Sequence, residues 1–184
     1  MVFCGPERRV LPVSLPSPLA AAPVDAVGVG IVPFVAVCVA CGVLAAVVMD
    51  VPMARQAEGF TPAYVAASVL ARSQPDTVEF AAAFAVHHVA GAAAGLLYAV
   101  VYSAAVGSVP DGVAVGGVAA VPHAVATLVV AGFIYGFFAH LVLPRRGRRI
   151  YEERSTAVRG QWLRSVVVFG VTVALAVPAV TSVL

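Results

Sequence analysis

The chain has 184 residues, of which 61% are hydrophobic and 11% are charged, and its mean hydropathy is +1.00. Soluble domains carry roughly 25% charged residues, so this composition predicts an integral membrane protein. The 11 basic residues are all Arg and exceed the 9 acidic residues by only two charges. Such a small excess, without interleaved aromatic residues, excludes nucleic acid as the expected partner.

Residues 1–26 contain five of the 13 prolines and are predicted to form an irregular tail ahead of a transmembrane domain at 27–184. Two other interpretations stay open. Arg8-Arg9 followed by an apolar stretch resembles a twin-arginine export signal, although prolines interrupt that stretch. A misassigned start codon is the third interpretation.

Four stretches are long and apolar enough to cross a hydrocarbon core of about 30 Å, which takes around 20 helical residues. The predicted fold is therefore an all-α bundle of four transmembrane helices, near residues 27–49, 78–106, 113–143 and 162–183. Between the first two spans, Thr61-Pro62 begins a helix that continues to about Arg72. This segment is too short to span, so we expect it on the membrane surface.

Turn and capping signals predict the boundaries of the second and third spans. Asp76 and Glu79 suit the N-terminus of the second span, and Pro110-Asp111-Gly112 suits a tight turn before the third. The two spans should then form an antiparallel hairpin. Gly116-Gly117 and Pro122 fall inside the third predicted span, where they predict a bend.

The arginines predict the orientation in the cell membrane. Seven of them lie in or beside the loop at 144–162 and two more lie between the first two spans, whereas the turn between spans two and three has none. Because basic residues favour the cytoplasmic side, both Arg-containing loops should face the cytoplasm. With four spans, both termini are then expected outside.

The second span carries a stripe that predicts close helix packing. His88, Gly91, Gly95, Tyr98 and Tyr102 fall within an arc of about 80° on a helix. The two glycines allow another helix to approach, which places the His and Tyr side chains at a helix contact. Gly132 and Gly136 form a second motif of this kind on the third span.

Five residues form a candidate intramembrane polar site: His87, His88, Tyr98, His123 and Asp50. Because spans two and three are adjacent, His87 or His88 is hypothesised to meet His123, which would give two imidazoles for a proton relay, a metal or haem iron. The alternative is that these residues are hydrogen-bonded packing groups. Asp50 ends the first span, where a carboxylate opposes the helix dipole, so it should pair with Arg55 or serve an ion or substrate.

The three cysteines do not predict a disulfide framework. Cys38 and Cys41 lie inside an apolar run, and a single i, i+3 pair of thiols in a helix is usually a pair of small packing residues. Cys4 leaves the count odd.

Met49-Asp50 closing the first helix, His88-x-x-Gly91 and Tyr98 on the second, and a third helix ending at Leu143-Pro144 resemble families of small four-helix multi-pass membrane proteins. The resemblance covers about residues 40–144. It implies a four-helix architecture and brings no activity with it.

Three functions follow as hypotheses. The first is a structural or accessory bundle that packs through its glycine faces, without a cofactor and either as a homo-oligomer or beside a membrane partner. The second is a small transporter or ion-handling protein that uses His88, His123 and Asp50. The third is a haem- or metal-binding redox protein. No nucleophile and base pair, phosphate loop or paired carboxylates favour an enzyme.

Overall fold

Four long helices pack against one another in the computed structural model, which describes residues 30–147 and 149–184. They are α1 (Ile31–Arg55), α3 (Phe80–Ala105), a composite helix over Ala120–Arg146, and α6 (Arg149–Thr181). Each is long and apolar enough to cross a membrane, and together with a short helix they confirm the predicted all-α architecture. The predicted tail at 1–26, with both other interpretations of it, lies outside the described residues.

The short helix α2 (Thr61–Ala71) begins where Thr61-Pro62 predicts. It ends at Arg72, which adopts a left-handed conformation with φ of 53°. One face of α2 packs against α3 and completely buries Val65, whereas Leu70 on the other face is 73% exposed.

The predicted start of the third helix at 113 is wrong, because a β-hairpin precedes it. Strands β1 (Ala114–Val115) and β2 (Val118–Ala119) pair antiparallel around Gly116-Gly117, whose φ angles are 55° and 81°. A two-residue hairpin loop of this kind needs positive φ at both positions, which glycine adopts without strain. Gly116-Gly117 therefore forms a turn and does not loosen a helix.

The third helix begins with α4 (Ala120–Gly136) and so does not follow directly on the turn at Pro110-Asp111-Gly112, and the predicted bend at Pro122 is also wrong. Pro122 lies in the first helical turn, where backbone N–H groups have no helical partner to lose. The helix continues as a π-helix (Phe137–Val142) and then as α5 (Leu143–Arg146). It thus passes the predicted end at 143, because the wider π turn precedes Pro144 and relieves the clash that a proline causes in a regular helix.

Three further boundaries differ from prediction. Helix α1 continues through Pro52 to Arg55, so the predicted end of the first span at 49, with Asp50 closing it, is wrong. A 3₁₀ turn (Pro75–Thr77) precedes α3, and Glu79 occupies its N-cap without a side-chain hydrogen bond, so Asp76 does not cap this helix. Helix α6 starts at Arg149 and not at 162. Its 33 residues are about 50 Å long at 1.5 Å per residue, so its charged first turns extend beyond a hydrocarbon core.

Two glycines of the stripe on α3, Gly91 and Gly95, lie against α1. A Cβ added at Gly95 would collide with the backbone of Cys38, and one at Gly91 would lie 2.6 Å from the Cβ of Ala46. Gly42 on α1 meets the backbone of α3 in the same way. These contacts run in opposite directions along the two helices, so α1 and α3 are antiparallel.

The second glycine motif does not pack as predicted. A Cβ at Gly132 or Gly136 would have no neighbour within 4 Å among the described residues. Nearby Leu128 and Phe133 are exposed on the outside of the bundle. Below, the end of the bundle with the β-hairpin is called the hairpin end, and the opposite end, with the loops at 56–60 and 72–79, is called the Arg-rich end.

Candidate functional site

A carboxylate and two imidazoles meet where α1 and α3 approach the Arg-rich end. Asp50 Oδ1 lies 3.4 Å from His87 Nε2, and Asp50 Oδ2 lies 3.2 Å from His88 Nε2. The side chain of His87 is nearly buried, whereas those of Asp50 and His88 are each about one-fifth exposed. We call these three residues the Asp50 cluster.

His88 makes one side-chain hydrogen bond and one close contact with the carboxylate of Asp50. His88 Nδ1 lies 2.9 Å from the carbonyl oxygen of Phe84, which can only accept, so Nδ1 carries a hydrogen. In a neutral ring Nε2 is then an acceptor, yet it faces a carboxylate oxygen. This contact is favourable only if a proton lies between them, either as an imidazolium or as a protonated Asp50.

The other two groups of the cluster fit that arrangement. His87 Nε2 lies 3.2 Å from the carbonyl oxygen of Ala46, so it also carries a hydrogen. Asp50 Oδ1 is buried and accepts no hydrogen bond of good geometry in the described residues, although His87 Nε2 lies close to it. Oδ1 of Asp50, on the side of the carboxylate that faces the interior of the bundle, can therefore accept a further hydrogen bond.

The predicted pairing of Asp50 with Arg55 is wrong, since both of its partners are histidines. The same two helices carry charged groups at their ends, Arg55 on α1 and Glu79 at the N-cap of α3, and neither forms an ion pair with the cluster in the described residues. Helix α2 has no charged residue, and no ion pair joins α6 to the cluster in that part of the chain.

His123 lies in a different polar group, nearer the hairpin end. The hydroxyl of Tyr98 bonds to its Nδ1, and its Nε2 lies 3.1 Å from the carbonyl oxygen of Ala174 on α6. Since that carbonyl only accepts, Nε2 carries the hydrogen, and Tyr98 donates to Nδ1. One ring thus joins α3, α4 and α6, and both of its nitrogens are satisfied.

The structure does not bring His123 to His87 or His88. Tyr98, the partner of His123, is ten residues beyond His88 on α3, which is about 15 Å along the helix. The five predicted site residues therefore form two groups, the Asp50 cluster and the Tyr98–His123 pair. Sequence spacing within α3 located the residues but could not assign their partners on other helices.

The described residues hold no group of three or more His, Cys, Asp or Glu arranged to bind a metal ion. Cys38 and Cys41 are buried and free. Cys38 lies where α1 passes Gly95 of α3, so this thiol pair is part of the packing between the two helices.

Sequence reasoning missed a polar contact at the Arg-rich end. Glu58, in the loop after α1, accepts a 2.6 Å bond from Arg154 of α6 and a 2.8 Å bond from the hydroxyl of Thr61. Its backbone N–H donates to the side chain of Gln161 at 2.7 Å. The sequence did contain a signal for this contact, because Glu58 is an isolated acidic residue between segments that contain Arg. A charge near the end of an apolar helix needs a partner.

Comparisons with protein-family models, with curated proteins and with solved structures find no match.

Proposed function

We propose that this chain is a four-span integral membrane protein that conducts protons across the membrane by way of the Asp50 cluster, with the Arg-rich end in the cytoplasm. The observation that carries the proposal is the position of His88, both of whose ring nitrogens face oxygen atoms. A proton held between Asp50 and His88 lets the Asp50 cluster change its protonation state without the movement of a helix.

The position of the Asp50 cluster in the bundle supports an ion-handling role. Asp50 lies five residues before the end of α1, and His88 lies eight residues after the start of α3. Both are about 8–12 Å inside their helices at 1.5 Å per residue. Ionisable residues at such depth are costly and mark proton or ion pathways.

The partial exposure of Asp50 and His88 supports proton exchange between the cluster and its surroundings. Asp50 and His88 are each about one-fifth exposed, whereas His87 between them and α1 is nearly buried. Asp50 and His88 are therefore the accessible members of the cluster, and His87 lies on the inner side of the same carboxylate.

The other hypotheses account for fewer observations. A purely structural bundle explains Gly42, Gly91, Gly95 and His123, all of which contact neighbouring helices. It does not explain a carboxylate in the α1–α3 contact, because neutral side chains would hold the helices together without the desolvation of a charge. The redox hypothesis relied on His123 meeting His87 or His88, and their separation removes that support.

Proton flux into vesicles tests the proposed function. The purified protein is reconstituted in liposomes that contain a pH-sensitive dye, and a potassium diffusion potential drives protons inward. We expect wild type to acidify the vesicle interior faster than protein-free liposomes do. Asp50→Asn should reduce the rate to that of protein-free liposomes, because an amide cannot accept the proton.

Glu79→Gln is the matched control, since it neutralises a carboxylate at the start of the helix that carries His87 and His88 but makes no ion pair with the cluster. This variant should keep the wild-type rate. The proposal is overturned if wild type acidifies no faster than protein-free liposomes, or if Asp50→Asn is as fast as wild type.

A further inference from the structure

An apolar cavity lies between α2, α3, the π-helix and α6. It has a volume of about 460 Å³, within the range of about 300–1,000 Å³ that is common for ligand pockets. His87 and Trp162 supply the polar side-chain atoms of its wall, and no Arg, Asp or Glu of the described residues lines it. A strongly charged ligand would find no counter-charge there, so the wall favours a neutral and mainly apolar one.

The indole N–H of Trp162 has no hydrogen-bond partner. Trp162 lines the cavity and is 8% exposed, and its Nε1 is buried without an acceptor among residues 30–147 and 149–184. An indole N–H can only donate, and a buried donor without an acceptor costs free energy. An oxygen atom of a molecule in the cavity would satisfy this donor.

The backbone beside Trp162 is also unusual. Phe138 of the π-helix packs edge-to-face against the ring of Trp162, with 5.3 Å between the ring centroids. Phe137 and Val142 of the same π-helix also line the cavity. A π-helical turn in an α-helix is rare and often occurs at functional sites. The donor without a partner and the irregular turn thus lie in the same part of the wall.

The cavity opens to the outside of the bundle. Leu70 and Phe137 belong to its wall and are exposed, so in a four-span membrane protein the acyl chains of the bilayer reach this opening. Trp162 lies between Arg159 and Arg164, the last two charged residues of α6. It is therefore near the depth at which acyl chains meet polar headgroups, where the ester carbonyls of phospholipids lie.

We infer that this cavity binds an acyl chain of a membrane phospholipid, and that the ester carbonyl of this chain accepts a hydrogen bond from Trp162 Nε1. The apolar wall receives the chain, and the carbonyl oxygen supplies the acceptor that Nε1 lacks. The inference rests on the membrane location in the proposed function and is independent of proton conduction. Lipid binding is measured without a proton gradient, so the two proposals can fail separately.

Competition between ester-linked and ether-linked phosphatidylcholine with identical chains tests the site. The purified protein in a mild detergent is given both lipids in equal amounts, and native mass spectrometry counts the complexes with one bound lipid. The ether has a methylene group in place of the carbonyl, so it keeps the chain and the headgroup but loses the carbonyl acceptor. We expect wild type to bind the ester about threefold to tenfold more than the ether. Equal binding of the two lipids by wild type overturns the inference without any variant.

Two variants locate the bound lipid. Trp162→Phe keeps an aromatic ring beside Phe138 but removes the N–H, so it should bind the two lipids equally. Ala66→Phe fills the cavity from α2 and should also abolish the preference, whereas Ala40→Phe, at an exposed position of α1 outside the cavity wall, should keep it. A preference for the ester that persists in Trp162→Phe or in Ala66→Phe overturns the inference.

Discussion

At the scale of single residues, the two histidine groups differ in what each ring still lacks. His123 has a partner at each nitrogen, on α3 and on α6, and so has no free atom for a ligand or a further proton. His88 faces two oxygens, one of which belongs to an ionisable group. The first arrangement stabilises a fold, and the second can exist in two protonation states.

Tyr98→Phe should lower the stability of the bundle, because it removes the donor to Nδ1 of the buried His123. Leaving a buried acceptor unpaired costs about 1–3 kcal/mol. The measurement is the midpoint of thermal unfolding in detergent, compared with Tyr135→Phe, whose hydroxyl makes no hydrogen bond in the described residues. Equal midpoints for the two variants would contradict the role assigned to Tyr98.

Double-mutant cycles test the separation of the two groups. His88→Gln combined with His123→Gln should change the unfolding midpoint additively, because the rings share no partner. Tyr98→Phe combined with His123→Gln should be clearly non-additive, since each change removes the same hydrogen bond. Strong coupling between His88 and His123 would show that the two groups act as one site.

The face of α3 that carries the candidate site could be predicted from sequence, and its partners could not. The 100° spacing of a helix places His88, Gly91, Gly95 and Tyr98 on one side, and that side does face other helices. Which oxygen meets which imidazole depends on the relative rotation and shift of two helices. Asp50 illustrates this limit, since Arg55 is near in sequence while its actual partners are 37 and 38 residues away.

At the scale of elements, the two glycine motifs have the same spacing and different surroundings. Gly91 and Gly95 meet the backbone of α1, whereas Gly132 and Gly136 have open space around them. Sequence spacing alone predicted packing for both motifs. The hairpin shows the same limit, because Gly116-Gly117 suits both a loosened helix and a two-residue turn.

Gly95→Ala should destabilise the bundle, because the added methyl group collides with the backbone of Cys38 and forces α1 away. We expect a loss of about 1–3 kcal/mol, as for other overpacked contacts. Gly132→Ala is the control and should be neutral or slightly stabilising, since alanine favours a helix and the site is open. Thermal unfolding in detergent measures both, and equal tolerance would mean that α1 and α3 are not in close contact.

Glu58 should hold the loop at 56–60 and the start of α2 against α6. In Glu58→Gln the ion pair with Arg154 is lost, and the loop should exchange its amide hydrogens faster, by roughly threefold to tenfold for a loss of about 1 kcal/mol. Glu153→Gln removes the carboxylate of an exposed pair with Arg149 and should leave this exchange unchanged. The measurement is hydrogen exchange followed by mass spectrometry, and unchanged exchange in Glu58→Gln would contradict the anchoring role.

At the scale of the whole molecule, polar contacts fasten both ends of the bundle. At the hairpin end, the hydroxyl of Thr181 on α6 donates to the carbonyl of Gly116 in the turn, and the N–H of Ala119 donates to the hydroxyl of Tyr102. At the Arg-rich end, Glu58 joins the loop after α1 to α6. Between these ends the helices pack mainly through apolar and small residues, and the Asp50 cluster lies in this part of the bundle.

The orientation of the molecule decides which compartment the Asp50 cluster meets. Ser108 lies at the hairpin end and Thr156 lies in the charged first turns of α6, and both residues are exposed. On a background with alanine in place of Cys4, Cys38 and Cys41, we expect Ser108→Cys to react with an impermeant thiol reagent on intact cells. Thr156→Cys should react only after the cells are opened, because the arginines around it favour the cytoplasm. The reverse pattern would place the Arg-rich end outside, and the Asp50 cluster would then exchange its proton with the external medium.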